Sequence, residues 1–322
     1  MILIKVIQDS GLFDISNYST SCSLSDNIDS LGRELTFDYN NNKYVDKCST
    51  WIDLKCGMTV VVYHDGTQIY QGQIVNIDQS DLQSYSIKCV DNAFYLNKNQ
   101  TVIQFKDITV KQAIEQLCAK ENIPCQVACD INTKVTKIYN GEVISKIIDD
   151  LLTLDTNETN IKYRREYNYG SLYINAYNNL KMIYDKEPII GSMSVKNSIE
   201  NLANKVVIVS SSEKNTTVKA TVQDDNSIQT YGQWTHYEKV DDKKIANATA
   251  IANAKLKELN KVQKDISLTL WGDDYVRSGR ILKFNQEWLT GSFLVTNCTH
   301  SYVGNEHTMN VDLKECDSSD NV

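Results

Sequence analysis

Apolar and polar positions alternate along much of the first hundred residues. Leu35-Thr36-Phe37-Asp38-Tyr39 is a half-buried strand pattern, and it breaks at Asn40-Asn41-Asn42, a turn signal. A strand over Met58–Tyr63 leads into His64-Asp65-Gly66-Thr67, a hairpin connection of the Asp-Gly kind. The return strand covers 68–77, and Tyr85–Val90 forms a further strand that stops at Asp91. Short strands at this spacing predict a small barrel or sandwich.

The period then lengthens. Thr109 stands as an N-cap before Val110, Ala113, Ile114 and Leu117, a helical spacing that ends at Asn122-Ile123-Pro124. A second helix is predicted over 142–154, with Ile144, Ile147, Ile148, Leu151 and Leu152 on one face. Residues 161–177 alternate around Gly170 and predict a hairpin, so the middle is α+β. Strand patterns return at 206–210 and 217–222. A helix follows over 242–260 with the stripe Ile245, Ala248, Ala252, Leu256 and Leu259, then strands at 266–270 and 292–302.

The fold class expected is mainly β, α+β, with two small β-barrel-like modules around an α+β middle region. The boundaries are 1–105 for the first β module, 106–190 for the middle, and 191–316 for the second β module with its long helix. The polar stretch 317–322 is expected to be disordered. A length of 322 residues exceeds what one core sustains, which agrees with several domains.

Composition narrows the function. The net charge is −8, and Arg164-Arg165 is the longest basic cluster, so sequence-specific nucleic-acid binding is disfavoured. Apolar runs such as Val206-Val207-Ile208-Val209 are strand-sized, too short for a membrane span. The first residues carry no secretory pattern, so synthesis and residence in a cytoplasm are expected. In that reducing setting the nine cysteines are read as free thiols packed as small hydrophobes.

Cys118, Cys125 and Cys129 offer three soft ligands, but their spacing does not match a zinc knuckle and no fourth partner accompanies them. His300 and His307 flank a turn at Gly304-Asn305 and are placed to touch across a hairpin; polar residues on a barrel rim is the preferred reading. Asp pairs at 149–150, 224–225, 241–242 and 273–274 point their carboxylates in different directions and are assigned to turns or helix ends rather than acid–base catalysis. There is no phosphate-binding glycine loop and no Cys-His pair in a peptidase-like context; the Asn215 sequon is without consequence outside a secretory route. No catalytic, cofactor-binding or metal residues are nominated, and the chain is read as no enzyme.

The order of elements carries a resemblance. It runs through GMTVVVYHDGTQIYQGQIVNID from Gly57, SYSIKCVDNAFYLNKN from Ser84 and FKDITVKQAIEQLCAKENI from Phe105. It continues with GQWTHYEKVDD from Gly232, ISLTLWGDDYVRSGRILKF from Ile266 and LTGSFLVTNCTHSYVGNEHTMNVDL from Leu289. Over residues 30–315 the chain resembles the late-control-protein D and PBSX-type tail hub families of contractile phage tails. The resemblance implies a homotrimer, a structural baseplate hub whose two barrels per chain make a pseudo-sixfold ring between the hexameric tail tube and the central spike. It implies a tail tube or tube-initiator protein, a central spike protein and baseplate wedge proteins as partners. It also implies a place in the bacterial cytoplasm during assembly and then in the baseplate of a phage or bacteriocin. The alternative weighed is a cell-wall-active tail protein, a peptidoglycan hydrolase or glycan-binding module.

Overall fold

A computed structural model describes residues 1–8, 11–41, 52–159, 161–168, 170–180, 191–210, 217–240 and 248–315. The chain divides into two compact units, Met1–Met193 with Ser267–Val322, and Ser194–Ile266. The second is thus inserted into the sequence of the first.

The first unit opens with β1 (Ile2–Gln8), β2 (Gly11–Asp14), β3 (Ser21–Asn27), β4 (Arg33–Asn40), β5 (Thr59–His64), β6 (Thr67–Gln79) and β7 (Ser84–Val90). It continues with α1 (Ala93–Lys98), β8 (Gln100–Thr109), α2 (Val110–Lys120), β9 (Cys125–Val127), β10 (Lys134–Val143), α3 (Ile144–Thr159), β11 (Tyr163–Asn168) and β12 (Ser171–Ala176). β13 (Ser192–Ser198) leads into the second unit, which holds β14 (Lys205–Ser210), β15 (Val218–Gln223), α4 (Asp225–Tyr231), β16 (Thr235–Val240) and α5 (Ala248–Leu259). β17 (Gln263–Trp271) leads back to β18 (Ile281–Gln286), β19 (Leu289–Val303) and β20 (Glu306–Glu315).

In the first unit a long sheet runs β17, β20, β19, β3, β4, β7, β6, β5, β1, β2, with β18 also on β19. Its pairings from β20 to β2 are antiparallel. Among the described residues this path stays open, and no barrel closes in it. The mainly-β, α+β class is as the sequence implies, but the two barrel-like modules are not. β19 pairs with β3, Tyr302 opposite Cys22, so strands from both ends of the chain share one sheet. Alternation tells which face of a strand is apolar; it does not tell which strand lies beside it.

Alternation does set the core. β4 buries Leu35, Phe37 and Tyr39, and these join Ile4, Val6, Val60, Val62, Tyr70, Ile74 and Ile87 in one cluster. The hairpin at 64–67 turns through Asp65 and Gly66 with φ of 47° and 82°, as a two-residue Asp-Gly connection requires. A second cluster forms where α2 and α3 pack with β8, β9 and β10, around Phe105, Ile114, Leu117, Ile147, Ile148 and Leu151. Thr109 caps α2 as expected. Its hydroxyl accepts from Gln112 N–H at 3.2 Å, and the Gln112 side chain accepts from Thr109 N–H at 3.0 Å, a reciprocal capping box.

α3 runs on to Thr159, so Asp149 and Asp150 lie within the helix instead of at its end. Charge partners permit this: Asp149 pairs with Arg165, and Asp150 accepts from Lys137 Nζ at 2.6 Å and from Tyr139. The hairpin around Gly170 forms as expected, with Tyr163 opposite Ala176.

In the second unit β14 pairs antiparallel with β15 and parallel with β16, and α5 covers the sheet with Ala248 and Ala252 against Val206 and Ile208. Ile245 and the 241–242 pair lie outside the described residues, as does 317–322. Asp224 caps α4, which matches its expected place at a helix end. Fully buried Asn204 ties this unit together: its Nδ2 donates to Gly232 O at 2.7 Å, and its Oδ1 accepts from Trp234 N–H at 2.8 Å.

Candidate functional site

In the first unit, several strands carry polar residues at positions where their alternation calls for apolar ones. β3 turns Cys22, Leu24 and then Asp26 inward. β11 buries Arg164 and Glu166. β5 follows Val60 and Val62 with His64, and β20 places His307 on the face of Met309, Val311 and Leu313. In β19 a register shift between Val295 and Asn297 reverses the parity, so Phe293 and Val295 are followed inward by Cys298, His300 and Tyr302.

These residues form two adjoining groups. The first is a buried ionic network. Arg164 Nη2 donates to Ser278 Oγ at 2.6 Å and meets Asp26 Oδ1 at 3.3 Å, and Arg164 Nη1 donates to Ile28 O at 2.9 Å. Arg277 Nε meets Asp26 Oδ2 at 3.2 Å, and Arg277 Nη1 meets Glu166 Oε2 at 3.3 Å, while Arg280 Nη2 stands 3.0 Å from Glu166 Oε1. Burial by itself would raise the Asp26 carboxyl, but Arg277, Arg164 and Arg33 hold it below its ordinary value. Asp91, beside them, is pushed up to about 6 by burial. Gly32 is needed for Asp91 to fit: a Cβ there would stand 2.6 Å from Asp91 Oδ1, and its φ is +110°.

The second group gathers three of the four histidines. His64 Nδ1 lies 2.6 Å from Asp274 Oδ2, and the Tyr302 hydroxyl donates to Asp274 Oδ1 at 2.6 Å. His300 Nε2 stands 2.9 Å from Val276 O and therefore carries the proton it donates there. Its Nδ1 is then an acceptor, and His307 Nε2, 3.0 Å away, donates to it. The Tyr302 ring stacks on His307 with centroids 4.2 Å apart, and the backbone of Gly272 closes the other side, where a Cβ would fall 2.1 Å from the ring. Burial first, and His300 next, bring the pKa of His307 down to about 4, so the ring is neutral at neutral pH. A cavity of about 10 Å³, room for a single water, lies between the two groups and is lined by Asp26, Arg33, Asp274, Arg277 and His300. One ligand-type atom each from His64, Asp274 and His307 lies within 4.8 Å of the others.

The contact of His300 with His307 across the Gly304-Asn305 turn is as the sequence suggests, but a barrel rim is not: His300 is 4% exposed. His64, Asp26, Arg277 and Glu166 were missed, and Asp274 was assigned to a turn or helix end without its partners. The available signal was a charged or imidazole side chain at an inward position of a strand. Arg164-Arg165 is no basic face, since Arg164 is inside the network and Arg165 pairs with Asp149. The Cys118 and Cys125 thiols are hydrogen-bonded to each other, and Cys129 is partly buried nearby in the same core. Asn215 lies outside the described residues.

The surface offers open strand edges and apolar side chains. β2 ends the long sheet with Leu12 exposed, β8 and β10 present Val102 and Ile138, and in the second unit Trp234 and Tyr237 are exposed. Among the described residues no helix is long and apolar enough to cross a membrane.

Known proteins place this fold. The 43 kDa tail protein of prophage MuSo2 from Shewanella oneidensis matches with a TM-score of 0.70 at 14% identity, covering 98% of each chain. A tail protein of Neisseria meningitidis MC58 matches with a TM-score of 0.67 at 14% identity, over 98% of this chain and 96% of that one. Prophage tail protein gp18 of Listeria monocytogenes EGD-e follows at 0.62 and 10% identity, over 97% and 94%. No curated protein matches in sequence. The fold is that of phage tail proteins, and because the YQBQ-like family model matches residues 22–314, the chain belongs to the YQBQ-like family.

Proposed function

We propose that this protein is a structural baseplate hub of a contractile phage tail or phage-tail-like bacteriocin, a homotrimeric adaptor joining the hexameric tail tube to the central spike. The observation that carries this reading is the fold shared with a prophage tail protein over 98% of both chains. Its role is mechanical rather than catalytic. Asp26, Glu166, Arg164, Arg277 and Arg280 of the first unit neutralise one another in the interior, as a scaffold's charges do. The open edge at β2 and the exposed aromatic residues of the second unit suit contact with other chains, since unpaired edges and aromatic side chains are common means of association.

In the assembled particle the tube or tube-initiator, the spike and the wedge proteins would surround the ring. Three chains carry 3 × −8 = −24, an acidic balance suited to a passage that repels DNA. Sedimentation of the chain mixed with tube and spike proteins tests the reading. A particle containing three chains is expected, and a chain that stays monomeric in that mixture at high concentration overturns it. Clearing of purified cell walls by the chain would favour the wall-active alternative instead.

A further inference from the structure

We propose that His64, Asp274 and His307 bind one divalent transition-metal ion of the zinc class per chain, as a clamp between β5, the loop after β17, and β20. Two imidazoles and a carboxylate are a donor set suited to zinc, with a fourth position left for solvent. One donor atom from each residue already lies within 4.8 Å of the others. Zinc bonds of about 2.0–2.2 Å place tetrahedral ligands roughly 3.4 Å apart, so small side-chain rotations complete the site. The side chains are 17%, 26% and 10% exposed, inside the fold yet within reach of solvent.

The surroundings hold these donors in place. Val276 O fixes the tautomer of His300, whose Nδ1 lies 3.0 Å from His307 Nε2, and that same Nε2 is 3.7 Å from Asp274 Oδ1; the ion replaces this hydrogen bond, taking the Nε2 lone pair while the His307 proton moves to Nδ1. Tyr302 and Gly272 sandwich the His307 ring, and the Tyr302 hydroxyl holds one oxygen of Asp274 while the other faces His64. A carboxylate supported on its far oxygen belongs to the outer shell that metal sites use. The ligands come from positions 64, 274 and 307, and the ion would bind strands far apart in sequence.

The test is titration of the reduced, metal-free full chain with Co²⁺. Expected are one equivalent bound per chain, visible d–d bands without a thiolate charge-transfer band, displacement by Zn²⁺, and a Zn²⁺-dependent rise in thermal midpoint. His64→Ala and His307→Ala should each weaken binding at least tenfold. His236→Ala and Cys125→Ser should leave it unchanged. No saturable binding by the unmodified chain overturns the proposal, as does a thiolate band, or affinity that survives both histidine substitutions. The spectrum of the unmodified chain decides even if a variant fails to fold.

Discussion

Arg164 sits where the sheet elsewhere places apolar side chains, 3% exposed, with Asp26 and Ser278 as its partners. Replacing it with methionine fills the space but leaves the buried Asp26 carboxylate with Arg277 as its remaining ion-pair partner among the described residues. Arg164→Met should therefore cost about 3–5 kcal/mol in urea unfolding at neutral pH, and a loss below about 1 kcal/mol would show the network to be dispensable. Asp91 responds to pH in the opposite sense to a paired carboxylate. Burial keeps its neutral form favoured in the fold, so from about pH 4 to 6 the folded chain holds more protons than the unfolded one. Its contribution is fully present below the ordinary carboxyl pKa and is lost as pH rises through about 6. Relative to Asp91→Asn, the unmodified chain should lose up to about 3 kcal/mol between those limits, read from unfolding curves at several pH values. At this scale the sequence revealed only neighbours across a turn. His300 and His307 meet because a two-stranded ribbon brings them together, whereas His64 and Asp274 arrive through strand order, and the parity shift in β19 hides that His300 faces inward.

Elements with their own start and stop signals were legible. α2 announces itself with Thr109, ends at Lys120 and is followed by Asn122, whose φ is +54°. Removing the cap with Thr109→Ala should cost about 1 kcal/mol, seen as a lower urea midpoint with an unchanged slope. The hairpins at Asp65-Gly66 and Gly170 were legible for the same reason, since only certain residues adopt their backbone. α4 and β20 were not assigned from the sequence. α4 spans seven residues with none buried, so no apolar stripe marks it. β20 does alternate, with Met309, Val311 and Leu313 between polar residues, so its strand was legible although it was not assigned.

The arrangement of the whole molecule was the least legible. Each strand shows its apolar face locally, but the pairing of β19 with β3 and the insertion of 194–266 into the first unit are encoded by packing between distant segments. Separate cores make the units distinct in stability. Asn204→Ala breaks bonds to Gly232 and Trp234 within the second unit, so hydrogen exchange should accelerate across β14 and β16 and stay unchanged in β3 and β19. Equal acceleration in both would mean one cooperative block.

The pairing of β3 with β19 also dictates when the sheet can be finished. On the ribosome β3 emerges early, and its free edge must wait while the chain from Asn27 to Leu289 is synthesised, on the order of tens of seconds at ordinary translation speed. Through that interval the nascent chain exposes a row of unsatisfied amides and carbonyls, and β19, translated only after that span, is the strand that shields it.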